Sequence, residues 1–190
     1  MSIAEKIVAL YARLFDAMER DTQGWFIGLF ARLTFLAVLF LYFFNSWSTK
    51  VEGGLLGLFT VRDSAWYQIV PWAVESAGGD LSKVGFLDNL IVHAGTYAEL
   101  LLPILIVAGL FARAAALGMI VFVAVQSLVD IRFHGVGPET TGSLFDRFPD
   151  SAIADQRLLW IFLLTMIVIK GAGSLSLDRL AGNWLMKKGA

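Results

Sequence analysis

The chain has 190 residues, of which 57% are hydrophobic and only 16% charged, with a mean hydropathy of +0.70 and a formal net charge of −1. A soluble domain of this size could not hide so much apolar surface, so the composition points to an integral membrane protein. The charge balance argues against a nucleic-acid partner, and the absence of cysteine excludes disulfides, thiolate metal sites and any CxxC redox pair on this chain.

The first element is an amphipathic helix over residues 1–22. Ile3, Ile7, Leu10, Tyr11, Leu14, Phe15 and Met18 share one face, and Glu5, Lys6, Arg13, Asp16 and Arg20 the other. Such a helix lies on a membrane surface or binds a partner helix. No cleavable signal peptide is expected in the first 24 residues, because no short apolar core precedes a small-residue site.

Four stretches are read as membrane-spanning helices, since a span needs about 20 apolar residues and lipid tolerates no open strand edge. They are Trp25–Phe44, Leu90–Phe111, Arg113–Ile131 and the shorter Arg157–Gly173. The expected fold is therefore an all-α four-helix transmembrane bundle. The second and third spans are joined by almost nothing around Ala112, whereas the connections 45–89 and 132–156 are long. Within the first of these, "SAWYQIVPWAVESAGG" (64–79) reads as a short interfacial or re-entrant segment bent at Pro71. Residues 181–190 form a tail.

Charge sets the topology. The side holding both termini and the tight turn carries Lys6, Arg13, Arg20, Arg113, Lys170, Arg179, Lys187 and Lys188. The two long loops hold Lys50, Arg62, Lys83, Arg132 and Arg147 and are net acidic. The positive-inside rule then places both termini in the cytoplasm and the chain in the inner (cytoplasmic) membrane. The six tryptophans, Trp25, Trp47, Trp66, Trp72, Trp160 and Trp184, all fall near predicted helix ends or in flanking segments, as an aromatic belt requires.

Two polar constellations stand out against this apolar background. Arg32 lies about seven residues inside the first span and Glu99 about nine inside the second, which runs the opposite way, so the helical rise places them roughly 7 Å apart in depth. Intramembrane charges usually pair and face the bundle interior. The expectation is an Arg32–Glu99 pair, either a clamp between helices or, with nearby Tyr97, a ligand or proton site. Pro103 should free the carbonyl of Glu99 and kink the helix beside it. The second constellation is Asn45, His93, Asp130 and His134, all near the periplasmic mouth. His93, Asp130 and His134 could bind a divalent metal, but no HxxxH or HxH spacing supports one, and a polar ligand site or histidines bonded to loop backbone serve as well.

Several stretches together resemble the DoxX-like family of small integral membrane proteins, over about residues 30 to 180 of a membrane domain drawn as 24–180. They are "ARLTFLAVLFLYFFNSWSTK" in the first span, "AELLLPILIVAGLFARAAAL" across the second span and turn, the histidine after the third span (His134), and above all "GAGSLSLDRL" at the C-terminal end. Where relatives often carry a His-Gly pair after the first span, this chain has Asn45–Ser46. By itself the GAGSLSLD stretch reads as a helix terminator, with Ser176 capping a following turn and Asp178 near its start. The resemblance implies a four-helix membrane bundle and, from the thiosulfate:quinone oxidoreductase subunit that names the family, a membrane subunit of a quinone-linked oxidoreductase or redox-stress complex. Its redox chemistry would come from a bound quinone, a haem or a soluble or membrane partner, because the chain carries no Fe–S, flavin or Rossmann motif. Two other classes stay open: a non-enzymatic anchor or assembly partner for a soluble protein, and a small-ligand or metal-ion transporter.

The charge asymmetry makes a direct prediction. Single cysteines placed at Gly79 and Gly142, in the loops 45–89 and 132–156, should react with an impermeant maleimide in intact cells, while a cysteine at Asn183 stays silent. Labelling at Asn183 with both loops silent would reverse the topology.

Overall fold

The computed structural model describes residues 2–54 and 57–188. Among these the chain is all-α, its one extended pairing being an isolated antiparallel bridge between Val51 and Val61. Helix α1 spans Ile3–Thr22 and opens on a capping box in which Ser2 and Glu5 satisfy each other's backbone amides. It buries no residue, and Ile3, Ile7, Leu10 and Tyr11 remain exposed on its apolar face. Met1 lies outside the described residues.

Helix α2, Phe26–Lys50, runs six residues past the expected end at Phe44. Its buried positions step Phe35, Leu39, Phe43, Trp47 and Lys50. Steps of four overshoot a 3.6-residue turn, which would swing the later residues off the core face. A wider π-type turn over Leu36–Phe40 absorbs the overshoot and keeps Phe35, Leu39 and Phe43 in one core. Two short helices follow, α3 (Ser64–Ile69) and α4 (Pro71–Ser76), broken at the proline that now starts the second of them. Trp66 Nε1 donates to Asn89 Oδ1 at 2.8 Å and Trp72 Nε1 to Asp88 Oδ1 at 3.3 Å, which pins this pair of helices over the start of the next long one.

That helix, α5, is Phe86–Ala108, and after a three-residue reversal comes α6, Ala112–Arg132. Pro103 sits inside α5 and is fully buried. The one-turn α7 (Pro138–Thr141) lies in the second long loop. Helix α8, Ala154–Lys170, packs on α2 and α6, and α9, Leu177–Lys188, follows the glycine-rich stretch. The last two residues of the expected tail, 189 and 190, lie outside the described set. Helices α2, α5 and α6 are each long and apolar enough to cross a membrane, whereas α8 has 17 residues. One core joins all four long helices, from Phe35 and Phe43 to Ile106, Met119, Val123, Leu164 and Ile167. Ala112, Ala115 and Ala116 are buried in this core, and their small side chains let α6 approach its neighbours closely.

Both tight turns meet at one end of the molecule. Gly109 adopts φ +69, closing α5 with the paired amide bonds of a Schellman turn from Gly109 N to Ile106 O and Leu110 N to Leu105 O. A Cβ at Gly109 would stand 2.8 Å from Arg32 Cζ and 2.7 Å from Ser176 Cβ, so glycine serves both the conformation and the fit. Phe111 is held at φ +49, a costly conformation for a side chain of its size. Asp178 explains how: its two carboxylate oxygens accept from Phe111 N at 2.7 Å and Ala112 N at 3.0 Å, capping α6 from the far end of the sequence. Ser176 Oγ in turn accepts from Arg179 N and starts α9. The GAGSLSLD stretch is thus a knot that ties the α5–α6 turn to the end of α8. Gly28 meets the same knot, since a Cβ there would fall 2.5 Å from Gly171 O.

Candidate functional site

Glu99 does not pair with Arg32. Its partner is Lys50, whose Nζ lies 2.9 Å from Oε2 and 3.1 Å from Oε1. Lys50 is 3% exposed and Glu99 4%. The remaining ammonium contacts go to Ser46, at 2.8 Å to Oγ and 3.2 Å to the carbonyl, one helical turn back. The reason for the correction is the direction of side chains. In a helix each side chain leans toward its own N-terminus. Helices α2 and α5 run antiparallel, so Lys50 leaning back and Glu99 leaning back approach each other. Arg32, leaning the same way as Lys50, points away from Glu99 toward the opposite end of the bundle.

There Arg32 finds carbonyls instead of a carboxylate. Its Nε donates to Ile106 O at 3.0 Å, Nη2 to Val107 O, and Nη1 to Ala172 O at 2.8 Å and Leu175 O at 2.6 Å. Ile106 and Val107 belong to the last turn of α5, where carbonyls lack i+4 amides; Ile106 O takes the guanidinium alongside the Gly109 amide, so Arg32 caps that helix and the glycine-rich loop together. Arg32 thus anchors two backbone segments and makes no contact with Glu99.

The second constellation also separates. Asp130 binds Arg157 Nη2, while Arg157 Nη1 donates to Ser127 Oγ at 2.9 Å. This partly buried pair staples α6 to the start of α8. His134 Nε2 lies 3.0 Å from Gln68 O and so holds α3 to the end of α6. His93 is exposed, with Nδ1 2.8 Å from Asn89 O and its ring edge-on to Trp66. Asn45 is exposed inside α2 and does not end it. Tyr97 directs its hydroxyl to Leu58 O at 3.3 Å, away from Glu99. Among the described residues no group of three or more histidines and carboxylates is placed to hold a metal ion, so His93, Asp130 and His134 do not assemble as ligands.

What does assemble is a cavity of about 580 Å³ between α5 and α6, closed above by α3. It runs from Leu102 and Gly118 at mid-helix to Asp130 and His134 at the mouth. Lys50, Glu99 and Ser46 form a polar wall on the α2 side, with Gln126, Gln68 and His134 opposite and above. Gln126 donates to Tyr42 Oη at 3.2 Å, but its buried Oε1 has no partner among the described residues. An unpaired buried acceptor is costly and is usually explained by water or a ligand donor. The outer edge is apolar and open: Ile91 is 45% exposed, Val121 57% and Val125 50%.

Of the expected site residues, Glu99, Asp130 and His134 line this cavity, and Arg32, Tyr97, Asn45 and His93 do not. Lys50, Ser46, Gln68 and Gln126 were missed. Lys50 carried a signal, since Phe43, Trp47 and Lys50 continue one helical face past the apolar run. No family model, no curated protein and no solved structure matches the chain.

The pairing predicts a specific pattern in a double-mutant cycle. Lys50→Met and Glu99→Gln should each destabilise the protein by roughly 3–5 kcal/mol, because each leaves a buried group without its partner. Together they should recover most of that loss. Arg32→Met should be destabilising too, but additive with Glu99→Gln, as the two make no contact. Thermal unfolding in detergent reads both cycles, and coupling of Glu99 to Arg32 but not to Lys50 would contradict the assignment.

Proposed function

We propose that the chain is a four-helix transmembrane protein of the inner membrane, with both termini cytoplasmic, and that it binds a lipophilic quinone in the cavity between α5 and α6 as the membrane subunit of a quinone-linked oxidoreductase or redox-stress complex. The observation that carries this reading is the combination of a polar inner wall with an apolar edge open to the side. The ring edges of a quinone need hydrogen-bonding groups, and its tail needs a path to lipid. Lys50, Glu99 and Gln126 suit the first, and the gap past Ile91, Val121 and Val125 suits the second. The volume is within the range of about 300–1,000 Å³ usual for small-molecule sites. Helix α1, with its exposed apolar face and no buried residue, suits a place on the membrane surface.

The residues fit such a ligand in chemical terms. Lys50 can give one of its two Ser46 contacts to a carbonyl oxygen and stay paired with Glu99. Gln126 Oε1 can accept from the hydroxyl of the reduced form. Glu99 can hold or release a proton within a buried site, and His134 lines the mouth of the same cavity. A bound quinone would supply the two-electron, two-proton couple. With no cysteine on this chain to ligate an Fe–S cluster or form a dithiol, a partner protein suits the role of electron donor. The resemblance of the GAGSLSLDRL end and the two helix stretches to DoxX-like proteins points to the same class.

Protein purified in mild detergent should therefore carry lipophilic quinone, quantified by chromatography of an organic extract. Ala98→Phe, which places a ring in the cavity, should lower the quinone per protein about tenfold, equivalent to about 1.4 kcal/mol of binding. Wild-type protein without quinone, or equal amounts in both preparations, rules the reading out.

A further inference from the structure

The opposite end of the molecule holds a second cavity with different chemistry. It measures about 490 Å³ and lies where the α5–α6 turn, the end of α8 and the start of α9 meet. Arg113, Lys170 and Arg179 line it, and Asp178 is its one carboxylate, a formal excess of two positive charges. The Asp178 charge is already matched by the amides of Phe111 and Ala112. None of the three cations has an ion-pair partner among the described residues.

The floor of this cleft is backbone. Gly24, Gly171 and Gly173 line it without side chains, and Gly171 and Gly173 adopt φ of +77 and +78. A Cβ at Gly171 would lie 3.1 Å from Arg113 Nε and 3.3 Å from Nη2, so the missing side chain leaves room for the Nε–Nη2 edge of the guanidinium beside the loop. A planar donor fork held against a glycine turn, with two further cations around it, is suited to a tetrahedral oxyanion. We propose that this cleft binds a phosphate group, the chemistry shared by an acidic phospholipid headgroup and by free phosphate. The lipid source draws support from the flanking helices. Next to the cleft, α9 exposes Leu177, Leu180 and Trp184, and α1 its own apolar face. Helices of this kind lie in the headgroup plane, where anionic lipid gathers around basic residues. The site does not depend on the quinone reading, and only its lipid source depends on the membrane placement.

Native mass spectrometry of the protein in detergent, titrated separately with dioleoyl phosphatidylglycerol and dioleoyl phosphatidylcholine, tests it. The wild type should retain phosphatidylglycerol at concentrations about tenfold below those needed for phosphatidylcholine. The triple variant Arg113→Gln, Lys170→Gln, Arg179→Gln should lose that preference, while Lys83→Gln, in an exposed loop, should keep it. Should the triple variant fail to fold, the single variant Arg179→Gln should still narrow the preference. In a parallel arm, inorganic phosphate replaces chloride at equal ionic strength. A rise in melting temperature that disappears in the variants, without a lipid preference, assigns the site to free phosphate. No lipid preference and no phosphate effect, or either effect surviving in the variants, overturns the proposal.

Discussion

Lys50 and Glu99 form an ion pair with almost no contact with solvent, between two helices that are apolar along nearly all their length. Taking both charges out of water is expensive, and only close approach with every ammonium proton engaged makes the arrangement tolerable. Ser46 completes that set from one turn back on the same helix. The pair fixes how α2 and α5 lie against each other. It also explains why α2 continues to Lys50: the helix must deliver its last residue to Glu99. The π-type turn at Leu36–Phe40 is part of the same requirement, because without it the face carrying Phe35 and Leu39 would not be the face carrying Lys50.

The other polar contacts divide the work. Arg32 and Asp178 bind backbone groups at one end and hold the α5–α6 turn against the loop after α8. Asp130 and Arg157 hold α6 to α8 near the other end. His134 and the tryptophans Trp66 and Trp72 hold the two short helices as a roof. With the ends fixed in this way, the middle of the α5–α6 seam is free to stay open. Gly95 and Gly118 line it, and a Cβ at either would touch Ile69 or Leu102 at 3.3–3.4 Å. Small residues there leave room for a ligand beside the buried pair.

Much of the architecture was legible in the chain, and the reasons are physical. Uninterrupted apolar runs gave the long helices within a few residues, and charge periodicity gave α1. The glycine-rich GAGSLSLD stretch marked a helix end, which the Ser176 cap bears out, whereas the second span was read three residues too far, to Phe111, past the Schellman turn at Gly109. The end of α2 was misread because Asn45, Ser46, Ser48 and Thr49 look like the start of a loop. Ser48 and Thr49 instead bond to carbonyls one turn back and let the helix continue. That error hid Lys50 among the loop cations and left Arg32 as the apparent partner of Glu99. The pairing argument used position along the helices alone and left out the lean of the side chains. The cavity itself was not legible, because it is defined by which residues are small at a seam between two helices.

Solid-state NMR on the labelled protein in lipid bilayers measures the central contact itself. Recoupling of 15N to 13C should show the Glu99 Cδ signal dephased by a lysine Nζ, the effect vanishing in Lys50→Met, with no dephasing from arginine guanidinium nitrogens. Dephasing of Glu99 by Arg32, or none by any lysine in the wild type, would contradict the account.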